Sequence, residues 1–196
     1  YIKYYIFKEL KWKFIMDKTK FEKLFSKERL SGYKDEKEHL NNFLLIQELT
    51  PKLGIIEIVT RNKVADILNI KDSVFISNQT FGYWAKIINQ NSIHNQLLDL
   101  NGIDFRKYAK SNRKTKLRNF YKVRICYDLL VSIRNRSFHF ENLYKLNGDK
   151  PRISTLRNNE ITGIMPQNLS VFLDDILECF GLREYLKGGE KEKLSP

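Results

Sequence analysis

From Lys116 to Leu146 the chain has neither glycine nor proline, and Phe120, Val123, Tyr127, Leu130, Val131 and Phe138 recur across it at helical spacing. A stretch that long without a breaker reads as one helix with an apolar face. The same economy holds elsewhere: four prolines and nine glycines in 196 residues leave few places for helices to stop. With a hydrophobic fraction of 42%, enough for a packed core, the expectation is an all-α helical bundle joined by short turns.

Other segments fit that frame. Leu40, Phe43, Leu44 and Leu49 mark a helix from Asp35 to Leu49, and Thr50-Pro51 reads as the N-cap and first turn of a second helix reaching Leu68. Leu53, Ile56, Val59, Val64 and Ile67 form its packed face. The stretch from Asn69 to Asn78 reads as a loop, and a third helix begins near Thr80 with an aromatic core stripe of Phe81, Tyr83, Trp84, Ile87 and Ile88. Residues 89–105 read as a polar connection. After the long helix, Asn147-Gly148-Asp149-Lys150-Pro151 is a stop and turn. Arg152 to Thr162 then reads as a short irregular or hairpin insert before a last amphipathic helix carrying Val171, Leu173, Ile176, Leu177 and Phe180. The pattern predicts one domain over residues 16–186, with Tyr1 to Ile15 either an N-terminal extension ahead of Met16 or a first helix, and residues 187–196 as a charged flexible tail.

The formal charge of +12 points to a polyanionic partner, because Lys and Arg that neutralise phosphates release condensed counterions. The charge peaks between Arg106 and Arg124, where nine Lys or Arg stand with no acid: Arg106, Lys107, Lys110, Arg113, Lys114, Lys116, Arg118, Lys122 and Arg124. With Tyr108, Phe120 and Tyr121 interleaved, the first eight of these, together with Arg136, are the expected RNA contacts. No apolar run approaches the roughly 20 residues that span a bilayer. Tyr1 to Ile15 also lacks a secretory pattern, so the chain is expected to be cytoplasmic. Cys126 and Cys179 sit in apolar helical patterns and read as core residues. His39, His94 and His139 stand apart, so no metal site and no cofactor are expected. His39 and His94 read as ordinary residues without a functional part.

Near the end of the long helix the chain reads Arg134-Asn135-Arg136-Ser137-Phe138-His139. Asn135 and His139 share a helix face, and Arg134 lies about 100° round from Asn135. Breaking an RNA strand needs a group that takes the 2′-hydroxyl proton, a group that protonates the leaving 5′-oxygen, and fixed positive charge on the phosphate. An imidazole, ordinarily titrating near about 6.5, suits either proton role, and a guanidinium clamps the phosphate.

The stretch IRNRSFHFENLYKLN, Ile133 to Asn147, resembles the Arg-x-x-x-x-His signature of HEPN domains, and more narrowly the bacterial abortive-infection (Abi) proteins of the AbiD and AbiF type. There an Arg-Asn-x-x-x-His hexad is followed by a segment with Leu, an aromatic residue and Asn; Phe81-Gly82 also resembles that family's Phe-Gly motif. Many members read Cys-Ala-His-His where this chain has Ser137, Phe138, His139 and Phe140. The resemblance implies an all-α HEPN bundle that pairs two copies as a homodimer, and a metal-independent endoribonuclease of a phage-defence or toxin-antitoxin system in the bacterial cytoplasm. It implies Arg134 and His139 as catalytic residues, Asn135 as their support, RNA as substrate, and an antitoxin or a regulatory non-coding RNA as further partners. Two other readings stay open: a non-catalytic module that holds a small regulatory RNA on the Arg106 to Arg124 face, and a basic protein lying on anionic membrane through Tyr1 to Ile15.

Overall fold

The computed structural model describes residues 18–112, 116–157, 159–182 and 184–185. The N-terminal extension, the C-terminal tail, Arg113 and Lys114 therefore lie outside the described residues. Within them the chain is mostly helical: α1 (Lys18–Phe25), α2 (Lys27–Leu30), α3 (Glu36–Ile67), α4 (Ser73–Asn78), α5 (Phe81–Gln90), α6 (His94–Leu97), α7 (Asn119–Phe138) and α8 (Leu169–Cys179). Two antiparallel hairpins, β1 (Leu146–Asn147) with β2 (Lys150–Pro151) and β3 (Ile153–Arg157) with β4 (Glu160–Ile164), stand between α7 and α8. None of the described helices is long and apolar enough to cross a membrane.

Three boundaries differ from the pattern in the sequence. The two expected helices around Thr50-Pro51 are one helix of 32 residues, α3, with Pro51 inside it. Proline removes one N–H, and its ring crowds the preceding turn. Here Pro51 and Gln47 are both exposed, so water can serve the carbonyl left without a partner, and the Thr50 hydroxyl donates to the Ile46 carbonyl at 2.7 Å. The Asn69 to Asn78 stretch holds α4, nucleated by Asp72, whose carboxylate accepts from the Phe75 N–H at 2.9 Å. The long helix stops at Phe138, well short of Leu146.

That stop is built from a left-handed residue. Phe140 has φ 52°, its N–H bonds the Ser137 carbonyl at 3.0 Å, and the Glu141 N–H reaches back to the Arg136 carbonyl at 2.9 Å. This is the pairing glycine usually provides at a helix C-terminus, and with phenylalanine it costs about 1 kcal/mol or more. Contacts from distant segments hold it. Arg29 donates through Nη2 to the carbonyls of His139 at 3.2 Å and Phe140 at 2.7 Å, and the Phe140 ring packs 5.7 Å from that of Phe43. Asn42, fully buried, accepts from the Leu143 N–H at 2.8 Å and donates to the Glu141 carbonyl at 3.0 Å.

The core lies where α3, α5, α7 and α8 meet, with Trp84, Tyr108, Tyr127, Phe81 and Phe172 its largest fully buried side chains. Each such aromatic removes on the order of 2–3 kcal/mol worth of apolar surface from water. α3 and α7 run antiparallel, fixed at one end by Asn42 and at the other by a 2.8 Å hydrogen bond between the Thr60 and Tyr127 hydroxyls. Leu40 and Leu44, which help mark the helix in the sequence, are exposed.

His39 is buried among the rings of Phe21, Phe25, Tyr33 and Phe43, with centroids 4.7 to 6.0 Å away, which seats α1 against α3. Burial and then the nearby Arg29 charge hold its imidazole below the usual histidine range. His94 is fully buried too, bonded to Asn89 at 2.9 Å and packed on Phe120, and burial followed by Arg124 lowers it likewise. Both histidines are buried packing residues. In the second hairpin Gly163 has no substitute, since a Cβ there would come within 2.4 Å of Pro151 Cγ.

Candidate functional site

The hexad occupies the last turn of α7 and its cap. Helical periodicity separates the Cβ directions of Arg134 and His139 by about 140°, and the structure puts the two side chains to different uses. Arg134 leans toward α3: its Nε donates to Glu57 Oε2 at 3.2 Å, and its Cζ lies 4.8 Å from the Phe138 ring centroid. The Nη1 and Nη2 groups make no hydrogen bond among the described residues. Glu57 therefore holds the guanidinium by one edge and leaves the forked edge open for a planar anion. His139 is the C-cap residue, its backbone carbonyl gripped by Arg29 and its ring exposed. Asn135 is exposed one turn before it. Among the described residues no hydrogen bond or ring contact joins Arg134 to His139.

Arg136, expected to meet RNA, is committed elsewhere. Its Nη1 lies 2.5 Å from Glu141 Oε2, and Arg152 Nη2 shares that carboxylate at 2.8 Å. It helps fix the turn after the helix. Along α3, the exposed positions Leu40, Leu44, Gln47, Pro51, Gly54 and Ile58, or half-buried in the case of Gly54, follow at alternating steps of four and three. Leu40, Leu44 and Ile58, with Phe138 and Phe140 at the end of α7, are 42 to 48% exposed, so the hexad stands beside an apolar stripe that none of the described residues covers.

The basic run divides into two kinds of residue. Arg106 pairs with Asp104 at 2.8 Å, Lys107 with Asp175 at 2.6 Å, and Lys122 donates to the carbonyls of Asn101 and Ile103 at 2.8 and 2.6 Å. These three hold the loop ahead of α7 in place. Lys110, Lys116 and Arg118 are exposed and have no side-chain partner among the described residues. The interleaved aromatics do not share one exposed surface with the cations. Tyr108 is fully buried and donates to Asp175 at 2.6 Å, with burial first and that carboxylate second pushing its phenol far above the ordinary range. Phe120 packs on His94, and only Tyr121 is exposed.

Among the described residues no group of three or more His, Cys, Asp or Glu could hold a metal ion. Sequence reasoning missed Glu57, Arg29 and Glu141. Each reaches the hexad or its flanks from a separate element or across a turn, and no local pattern announces that. Comparison with protein-family models, with curated proteins and with solved structures finds no match to this chain.

Proposed function

We propose that this chain is a metal-independent endoribonuclease of the HEPN and abortive-infection kind, acting in phage defence or a toxin-antitoxin system as a pair of identical copies. The observation that carries the reading is Arg134, held by one edge on Glu57 with its fork bonded to none of the described residues, on the same helix end as an exposed His139. One pair cannot do all the work, since the two side chains do not meet within a chain. Two helix ends brought together along the apolar stripe would supply two imidazoles and two guanidiniums to one phosphodiester.

In that arrangement one His139 accepts the 2′-hydroxyl proton and the 2′-oxygen attacks phosphorus. The 5′-oxygen leaves with a proton from the other copy's His139, and the guanidiniums bind the phosphate oxygens. The products are a 2′,3′-cyclic phosphate and a 5′-hydroxyl end. Asn135, exposed one turn before His139, would orient the ring or the ribose.

The experiment is incubation of wild type, Arg134→Ala and His139→Ala with total cellular RNA, read for cut sites and end chemistry, with and without EDTA. Cyclic phosphate ends that vanish in both variants and persist in EDTA support the reading; strong EDTA inhibition or unchanged cleavage by His139→Ala overturns it. A second reading, a module that holds a regulatory RNA without cutting it, is favoured by Lys110, Lys116 and Arg118, exposed and without side-chain partners among the described residues. Charge reversal of these three would then abolish RNA retention while His139→Ala changes nothing.

A further inference from the structure

Between α5, the middle of α7 and strand β3 runs an open groove of about 660 Å³ whose rim includes Gly82, Lys86 and Gln90 from one edge of α5 and Leu156 from β3. On α7 it is lined by Tyr127, Asp128 and Val131, the last two on one stripe of the helix. Continuing that stripe by steps of four leads to Asn135 and then His139, about 12 Å along the axis from Val131. The groove and the exposed imidazole thus lie on one face of one helix. This is a different face from the apolar stripe of α3.

We propose that this groove seats the nucleotide of a single-stranded RNA that flanks the scissile phosphate; the inference rests on the ribonuclease reading above for which phosphate is cut. Three observations point to that occupant. Lys86 and Gln90 are exposed, without side-chain partners among the described residues, and offer an ammonium for a phosphate and an amide that both donates and accepts. Arg157 is fixed in plane by Asp128, Nε to Oδ2 at 2.7 Å and Nη2 to Oδ1 at 2.9 Å, and an immobilised guanidinium is a surface on which a base can stack. Leu156, 63% exposed at the rim, supplies the apolar flank such a base would bury.

Gly82 adds a fourth. It stands at the second position of α5, in the first turn, where glycine costs less relative to alanine than the about 1 kcal/mol of a helix interior. A Cβ there would meet Val131 Cγ1 at 3.9 Å and Thr80 Oγ1 at 4.0 Å, which are ordinary contacts. The protein's own packing therefore does not demand glycine at this position. A ligand drawn close to the helix backbone would.

The test uses the full chain and a short fluorescent single-stranded RNA, with Gly82→Ala, Lys86→Ala and Arg134→Ala beside wild type. Melting is checked first, and Gly82→Ala should melt no lower than wild type. Affinity for the oligonucleotide should fall by about tenfold in each groove variant, equivalent to about 1.4 kcal/mol. In a His139→Ala background, 4-thiouridine cross-links should map to the groove peptides around Lys86 or Leu156. Unchanged affinity in both groove variants, cross-links confined to other surfaces, or no binding of the oligonucleotide at all would overturn the inference. The two proposals separate cleanly. Loss of cleavage in Arg134→Ala with wild-type binding and cutting in the groove variants removes the groove and keeps the nuclease. Absence of cutting in every protein with groove cross-links retained does the reverse.

Discussion

Removing the Asn42 carboxamide should loosen the chain where it turns away from the hexad. Asn42 has no exposed surface; its Oδ1 serves the buried Leu143 N–H, and its Nδ2 serves both the Glu141 carbonyl and the Tyr33 hydroxyl at 3.2 Å. In Asn42→Ala the tyrosine can turn to water, but a buried N–H and a half-buried carbonyl lose their partners at about 1–3 kcal/mol each, so the expected cost is about 3 kcal/mol. For a chain of this size each kcal/mol lowers Tm by about 2–4 °C, giving a fall of about 6–12 °C. Thermal melting followed by circular dichroism measures it, with exposed Asn135→Ala as a control that should melt like wild type. If Asn42→Ala melts within about 2 °C of wild type, the turn after the hexad is held by something other than Asn42, and the reasoning fails.

Pro51→Ala should restore an N–H to α3 and raise stability by about 2 kcal/mol in urea unfolding; a loss would mean the helix is shaped around its proline. Tyr127→Phe should cost about 1 kcal/mol by stranding the buried Thr60 hydroxyl, and Thr60→Val added to it should recover most of that; additive losses in the double-mutant cycle would argue against the bond. Because His39 and His94 are both held below the ordinary histidine range, the unfolded chain binds more protons as pH drops through about 6.5, and stability should decline from there toward the folded-state values. The urea midpoint should fall between pH 7.5 and 5.5 in wild type and fall less in His39→Leu; equal slopes would remove His39 from the account.

Local pattern revealed α5, α7 and α8, the hairpin insert before α8 and the position of the hexad near the end of α7. What it hid was non-local. Nothing near Lys107 indicates that Asp175 will claim it, and nothing near His39 shows that Phe21, Phe25, Tyr33 and Phe43 will close around it. Pro51 looked like a beginning because a proline at a first turn and a proline on an exposed mid-helix face leave the same mark in a sequence. The stop at Phe138 was invisible for the opposite reason: its left-handed residue is a phenylalanine, and the Arg29 and Asn42 contacts that hold the turn come from elsewhere in the chain. The basic run was legible as charge, but which cations are spent on carboxylates and carbonyls could be decided only in three dimensions.

The antiparallel pairing of α3 and α7 is pinned at Asn42 and again at Thr60, eighteen residues and about 27 Å apart, with Glu57 and its arginine between the pins. A rod fastened at two points has no freedom to slide or roll. One residue inserted anywhere between positions 42 and 57 would swing everything beyond it by about 100°, carrying Glu57 and Thr60 off their partners together. The segment therefore behaves as a gauge block, open to changes of side chain on its outer face and closed to changes of length.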